Sequence, residues 1–274
     1  MKSTALIMSD WSISRMLAGK KTQTSRLRGL EAVNAQADKV TELQRMDDGT
    51  YFFSPIMKYI KCPWCVGQQI WVKETWRIGE FRQFRNLYKI KIFYKADGAF
   101  RWVYVSPEIF ESLKMAYRNS QWRSPLFMPR WAARPELCRT VTGIKAQRVG
   151  NITEEECIAE GISKYEGIEE GGRGWKEAAF RELWNFFHAK PKPVHRNSKW
   201  AKILDWYDPE LKEIHRRFAD TLGGENVRSY DLPNEIVGYI SFPFAEEDGD
   251  HRVKIRDKSH FRCVNPWVWM LSFS

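Results

Sequence analysis

The sequence predicts an α+β protein with an insertion in the C-terminal half. Three observations carry that expectation. Short segments rich in β-branched and aromatic residues recur between Ala5 and Leu271. Amphipathic stretches with recognisable caps lie between them, and the stretch from 189 to 263 breaks the alternation.

Ala5 to Met8 reads as a short strand, and Ser9 or Asp10 caps a helix that turns Ile13, Met16 and Leu17 inward before Gly19 stops it. From about 29 to 60 the periodicity weakens, leaving Tyr51-Phe52-Phe53 as a candidate strand. Gln69 to Trp76 and Tyr88 to Tyr94 both read as barrel strands, the second closed by a turn at Asp97-Gly98. Ser106-Pro107 opens a helix through Phe110, Leu113 and Tyr117 that ends near Asn119. A strand over 139 to 149 follows, and Thr153-Glu154-Glu155-Glu156 is a capping-box pattern for a short helix ending at Gly161. Trp175, Ala179, Phe180, Leu183, Trp184 and Phe187 fall at helical spacing and read as core contacts. Lys190-Pro191-Lys192-Pro193 breaks that helix, and Asp208-Pro209 starts another carrying Leu211, Ile214, Phe218 and Leu222. Asn265-Pro266 then leads into a closing strand, Trp267 to Leu271. The expected organisation is one domain from 1–188 plus 264–274, with 189–263 inserted as a helix and an irregular or hairpin segment.

Composition narrows the partners. No apolar run is long enough to span a bilayer, and the apolar stretch after Met1-Lys2-Ser3-Thr4 is too short for a secretory signal, so a soluble cytoplasmic protein without a membrane partner is expected. Five cysteines without an export signal are expected to be reduced thiols. A formal net charge of +10 favours polyanions, and the first 30 residues carry Lys2, Arg15, Lys20, Lys21, Arg26 and Arg28 against Asp10 alone. Thirteen tryptophans supply stacking surface for bases as well as core bulk.

Gly19-Lys20-Lys21-Thr22-Gln23-Thr24-Ser25-Arg26 places cations and hydroxyls just after a helix-terminating glycine. Such a loop can hold a phosphate. A lysine among other cations also has a lowered pKa and can activate a neighbouring hydroxyl, here Thr24. Glu160 stands in the last turn of a short helix, where the negative end of the dipole raises its proton affinity and suits it to acid/base work.

Gly19-x-Lys21-x-x-Thr24-x-Arg26, Gly67 with Ile70-Trp71-Val72, the helix from Thr153-Glu154 to Gly161 and the closing strand together resemble an ASCH domain of the PUA-like superfamily. The common ASCH signature has glutamate where this chain has Thr24. Small bacterial amidohydrolases of the superfamily, which remove acetyl from N(4)-acetylcytidine, carry threonine there. Over about 1–188 and 264–274 the chain also looks like the longer ASCH-like proteins of bacteriophages and prophages, which would place it in a host cytoplasm. The resemblance implies a mixed PUA-like barrel of five or six strands with helices packed around its rim, and a catalytic set of Lys21 as base, Thr24 as nucleophile and Glu160 as proton shuttle, with Arg26 either stabilising the oxyanion or pairing with Glu160.

Lys20, Arg26, Glu74, Trp76, Arg130 and Trp131 are the expected substrate-binding residues, because they offer cations, one carboxylate and indole faces to a base. Cys62-Pro63-Trp64-Cys65 has the spacing of half a zinc site, and His260-x-x-Cys263 supplies a candidate other half for a structural ion. No cofactor is otherwise expected. The functional expectation is hydrolysis of an acyl group from the exocyclic amine of a modified cytidine, as nucleoside, nucleotide or RNA. The alternatives are a non-catalytic module that binds RNA or a modified base, and an ASCH-type ribonuclease. Neither the role nor a protein partner of 189–263 follows from the sequence.

Overall fold

The computed structural model describes residues 3–116, 121–162, 174–202, 236–245 and 260–274. The expected end of a helix near Asn119 and the helix expected after Pro209 lie outside them. The architecture is mixed α+β. Its main sheet has five strands in the order β1 (Thr4–Ile7), β6 (Gln69–Lys73), β10 (Arg139–Arg148), β14 (Trp267–Phe273) and β2 (Gln23–Arg26). β1 runs parallel to β6, and the other three pairings are antiparallel. β14 lies between β10 and β2 and is buried along nearly its whole length, which is why it reads as a continuous apolar run rather than an alternating one.

β1 and β2 are the two edges of this sheet, and no backbone ladder joins them among the described residues. The expected barrel is therefore not closed by hydrogen bonds. Side chains bridge the gap instead, with Arg26 Nη2 donating to the sulfur of Met8 at 2.8 Å.

α1 (Asp10–Leu17) follows β1, capped by Ser9, whose hydroxyl accepts from the Ser12 amide at 3.2 Å, and it buries Ile13 and Met16 completely. α2 (Glu31–Asn34) is a short helix in the weakly patterned stretch, followed by a three-stranded sheet of β3 (Glu42–Arg45), β4 (Thr50–Ser54) and β5 (Lys58–Lys61).

Gln69 to Trp76 is two strands rather than one, split at Glu74-Thr75 into β6 and β7 (Trp76–Phe84). β7 pairs with β8 (Leu87–Tyr94), which pairs with β9 (Phe100–Val105), in an antiparallel sheet separate from the five-stranded one. The barrel expectation for Tyr88 to Tyr94 is thus corrected. Period-two alternation identifies a strand but not its sheet. Here Ile90, Ile92 and Tyr94 pack with Trp76, Ile78 and Phe110, the last from α3 (Pro107–Ala116), in a second apolar cluster.

α4 (Glu154–Ala159) has the expected capping box between Thr153 and Glu156, and α5 (Trp175–His188) follows it. Within 189–263, β11 (Lys192–His195), β12 (Ile236–Ser241) and β13 (His260–Arg262) form a further sheet. Its Val194, Val237 and Ile240 join the same core as Val268 and Trp269 of β14, and Trp184 of α5 donates its indole N–H to the Phe242 carbonyl at 2.8 Å.

Candidate active site

The loop between α1 and β2 and the C-terminal turn of α4 meet beside the gap between β1 and β2. Gly19, at φ +68°, ends α1, and the amides of Lys20 and Lys21 fold back onto the Arg15 carbonyl at 2.9 and 3.2 Å. The Thr22 amide then donates to the Ala159 carbonyl at 2.8 Å, docking the loop on α4. Gly161 makes this approach possible. Its φ is +100°, and a Cβ there would lie 3.1 Å from Arg15 Cβ and 3.3 Å from Lys21 Cβ.

The result is a buried polar cluster. Lys21 Nζ donates to the Glu160 carboxylate and, at 2.8 Å, to the Glu160 main-chain carbonyl. The two side chains are only 3% and 7% exposed. Ser25 donates its hydroxyl proton to the other carboxylate oxygen of Glu160 at 2.5 Å. Thr24 is buried, and its hydroxyl has no hydrogen-bond partner among the described residues. Lys21, Thr24, Ser25, Arg26 and Glu160 all line one cavity of about 220 Å³. Trp11, Phe180, Leu183, Trp184 and Phe187 supply its apolar wall.

Burial lowers the Lys21 ammonium from its ordinary pKa, the Glu160 carboxylate opposes that, and the nearby Arg26 charge reinforces it. Burial also lowers Arg26, again against the pull of Glu160, although a guanidinium stays charged at neutral pH. Its Nε is enclosed without a hydrogen-bond partner among the described residues. His188 also lines the cavity, stacked on Trp184 with centroids 4.2 Å apart. Burial, aided by the charges of Lys192 and Arg26, pushes its imidazole down to about 3, and its Nδ1 is enclosed without a hydrogen-bond partner among the described residues. Lys192 stands exposed on the cavity lining. Three cations, Lys21, Arg26 and Lys192, thus face one carboxylate, Glu160, giving the lining a formal excess of two positive charges.

The three expected catalytic residues and Arg26 are brought together, while the other expected binding residues lie elsewhere. Lys20 is exposed and outside the lining. Glu74 is completely buried and takes a two-pronged contact from Arg134, at 2.8 Å to each oxygen, while Arg134 also binds Asp97 at 2.7 and 2.8 Å. Trp76 and Trp131 meet edge to face at 6.2 Å in the second cluster. Arg130 projects from a one-turn 3-10 helix, Arg130–Ala132, into solvent. Glu74 and Trp76 are spent on architecture because the chain leaves the main sheet between them.

The zinc expectation is also corrected: among the described residues no group of three or more His, Cys, Asp or Glu side chains is placed to hold a metal. His260 Nε2 is hydrogen-bonded to Ser241 Oγ at 3.0 Å, and Cys263 is buried in the main apolar core. Cys65 is exposed.

Sequence reasoning missed Ser25, His188 and Lys192. Ser25 stood inside the marked octapeptide, next to Thr24. The apolar face of α5 reads as core, and its spacing carries no sign that Leu183, Trp184 and Phe187 also form a cavity wall. No protein-family model, curated protein or solved structure matches the chain. No helix among the described residues is long and apolar enough to cross a membrane.

Proposed function

We propose that the protein hydrolyses an acyl group from the exocyclic amine of a modified cytidine, and that its five-stranded sheet is an open variant of the PUA-like barrel implied by the ASCH resemblance. The observation that carries this reading is the buried Lys21–Glu160 pair lining one cavity with a Thr24 hydroxyl that makes no hydrogen bond among the described residues. A lysine whose charged form is disfavoured by burial can pass its proton to Glu160 and become a neutral base. Lys21 then takes the Thr24 proton as the Thr24 oxygen attacks the acyl carbonyl. Arg26 faces the developing oxyanion. The protonated Glu160 gives its proton to the leaving amine as the C–N bond breaks, leaving an ester on Thr24. Glu160, again a carboxylate, takes a proton from water as the water oxygen attacks that ester, and the Lys21 ammonium returns a proton to the Thr24 oxygen as the ester bond breaks and the carboxylic acid leaves. Ser25 holds Glu160 in place through the second carboxylate oxygen.

Substrate size follows from the cavity. About 220 Å³ falls below the roughly 300–1,000 Å³ typical of drug-sized ligand pockets, so it suits one base, stacked on the aromatic wall, with its sugar toward the mouth. The excess positive charge favours a sugar that carries phosphate.

The test is release of cytidine or its monophosphate from the N(4)-acetylated form, followed by chromatography for the wild type and for Lys21→Ala, Thr24→Val and Glu160→Gln. Release lost in all three folded variants supports the proposal, and no release by the wild type at enzyme concentrations near that of the substrate overturns it. One observation favours a second reading, a modified-base binder without turnover: Lys21 Nζ donates to Glu160 and not to Thr24. Saturable calorimetric binding without product would establish it.

A further inference from the structure

The sheet of β7, β8 and β9 buries one face in the second apolar cluster and turns the other to solvent. Its outward rows follow from the register. Arg77, Phe93 and Phe100 lie side by side, then Glu80, Lys91 and Trp102, then Arg82, Lys89 and Tyr104. The outward residues of β9 are all rings, and the cations stand beside them on β7 and β8. Arg77 sits 4.8 Å from the Phe93 ring centre and 4.9 Å from that of Trp122. Arg82 and Lys89 lie 4.7 and 5.1 Å from the Trp102 ring centre, and Lys91 lies 4.1 Å from that of Phe100.

Two features distinguish this face from an ordinary solvated one. Four cations stand against a single acid, Glu80, which pairs with Arg82, so Arg77, Lys89 and Lys91 have no carboxylate within ion-pair distance among the described residues. Large rings are also left in water, with Phe100 54% and Tyr104 65% exposed. A core-forming sheet needs neither, and exposed apolar surface of this kind marks binding sites.

We infer that this face binds single-stranded nucleic acid. Its cations supply phosphate contacts, and its rings supply stacking surfaces for unpaired bases, whose faces a duplex keeps covered. The cations already over the rings keep the platform flat and charged before a strand arrives. Charge and ring spacing give no base-edge readout, so binding is expected to tolerate sequence. This surface is separate from the cavity residues, and the inference does not depend on the hydrolase reading.

The experiment is fluorescence anisotropy with a labelled mixed-sequence 12-nucleotide RNA, its DNA equivalent and the RNA duplex, titrated with the full chain at several salt concentrations. Four phosphate contacts predict a slope of log affinity on log salt near −3, since each contributes about 0.7 on a single strand. Lys89→Gln with Lys91→Gln should flatten that slope by about 1.4. Phe100→Ala should weaken binding about tenfold, within the usual range for one lost stacking partner. Urea midpoints verify that the variants fold, and Lys89→Gln alone, at a surface position, provides a mild second variant expected to flatten the slope by about 0.7. No binding up to ~100 μM protein, where even non-specific contacts register, overturns the inference. So does equal affinity for the duplex, an unchanged slope in the lysine variants, or self-association of the wild type that Phe100→Ala abolishes.

Discussion

Glu74 and Glu160 are both almost completely buried and both paired with a cation, but the surroundings of the two pairs differ. Glu74 has both oxygens filled by Arg134, and Asp97 accepts from two further N–H groups of the same guanidinium. Both Glu74 oxygens are engaged, and burial raises the Glu74 carboxyl against the opposing pull of Arg134. Glu160 meets Lys21, whose pKa burial lowers, and both line a cavity where the Thr24 hydroxyl, Arg26 Nε and His188 Nδ1 have no hydrogen-bond partner among the described residues. Burial of a carboxylate is common to architecture and chemistry. Unfilled hydrogen-bonding capacity around it separates them.

The comparison breaks most sharply at Thr24. Because its hydroxyl makes no hydrogen bond among the described residues, Thr24→Val should change stability by less than about 1 kcal/mol while lowering the hydrolytic rate by on the order of 10⁴ or more. Equilibrium urea unfolding and steady-state kinetics on the same preparation test both halves. Arg134→Leu should do the reverse. It strands a buried Glu74 carboxylate and should cost about 3–5 kcal/mol, seen as a lower urea midpoint, with the rate per folded molecule retained. Adding Glu74→Leu to it should recover much of that loss, since an apolar pair needs no counter-charge.

Acid sensitivity sharpens the comparison further. The folded-state pKa of His188 is pushed down to about 3 from an ordinary 6.5, so between those values the unfolded chain binds a proton that the folded chain does not. Its stabilising contribution is therefore complete above pH 6.5 and declines as pH falls through the window toward 3. His188→Phe should flatten the dependence of the urea midpoint on pH between about 6.5 and 4. Lys21 is also lowered, and the sign is the same: stability rises with pH between its folded value and 10.5. The smallest effect belongs to Ser25→Ala, which removes one hydrogen bond to Glu160 and should cost about 1–3 kcal/mol of stability or less, with a rate reduction nearer tenfold than a thousandfold.

Much of the local structure was legible because its signals are local. The cap at Ser9, the stops at Gly19 and Gly161 and the capping box at Thr153 depend on residues within one turn, and each is where the sequence placed it. The cluster of Lys21, Thr24 and Glu160 was legible through a family resemblance. What brings these residues together, the Thr22–Ala159 hydrogen bond and the space left by Gly161, is tertiary and leaves no periodic trace. Sheet membership was hidden for the same reason: Ile90, Ile92 and Tyr94 alternate identically whether they face a barrel interior or the separate cluster under β7–β9. Glu74 was misread as a pocket residue because a carboxylate in an aromatic strand is equally compatible with a ligand and with Arg134, sixty positions away.

The central claim is that Thr24 carries the acyl group between substrate and water. Acid quenching during turnover of the N(4)-acetylated nucleotide, followed by peptide mass mapping, tests it directly. The expected result is one acetyl group on the peptide containing Thr24, located on that residue and missing in Thr24→Val. Turnover with the acetyl group on Ser25, or with Thr24→Val as active as the wild type, would contradict it.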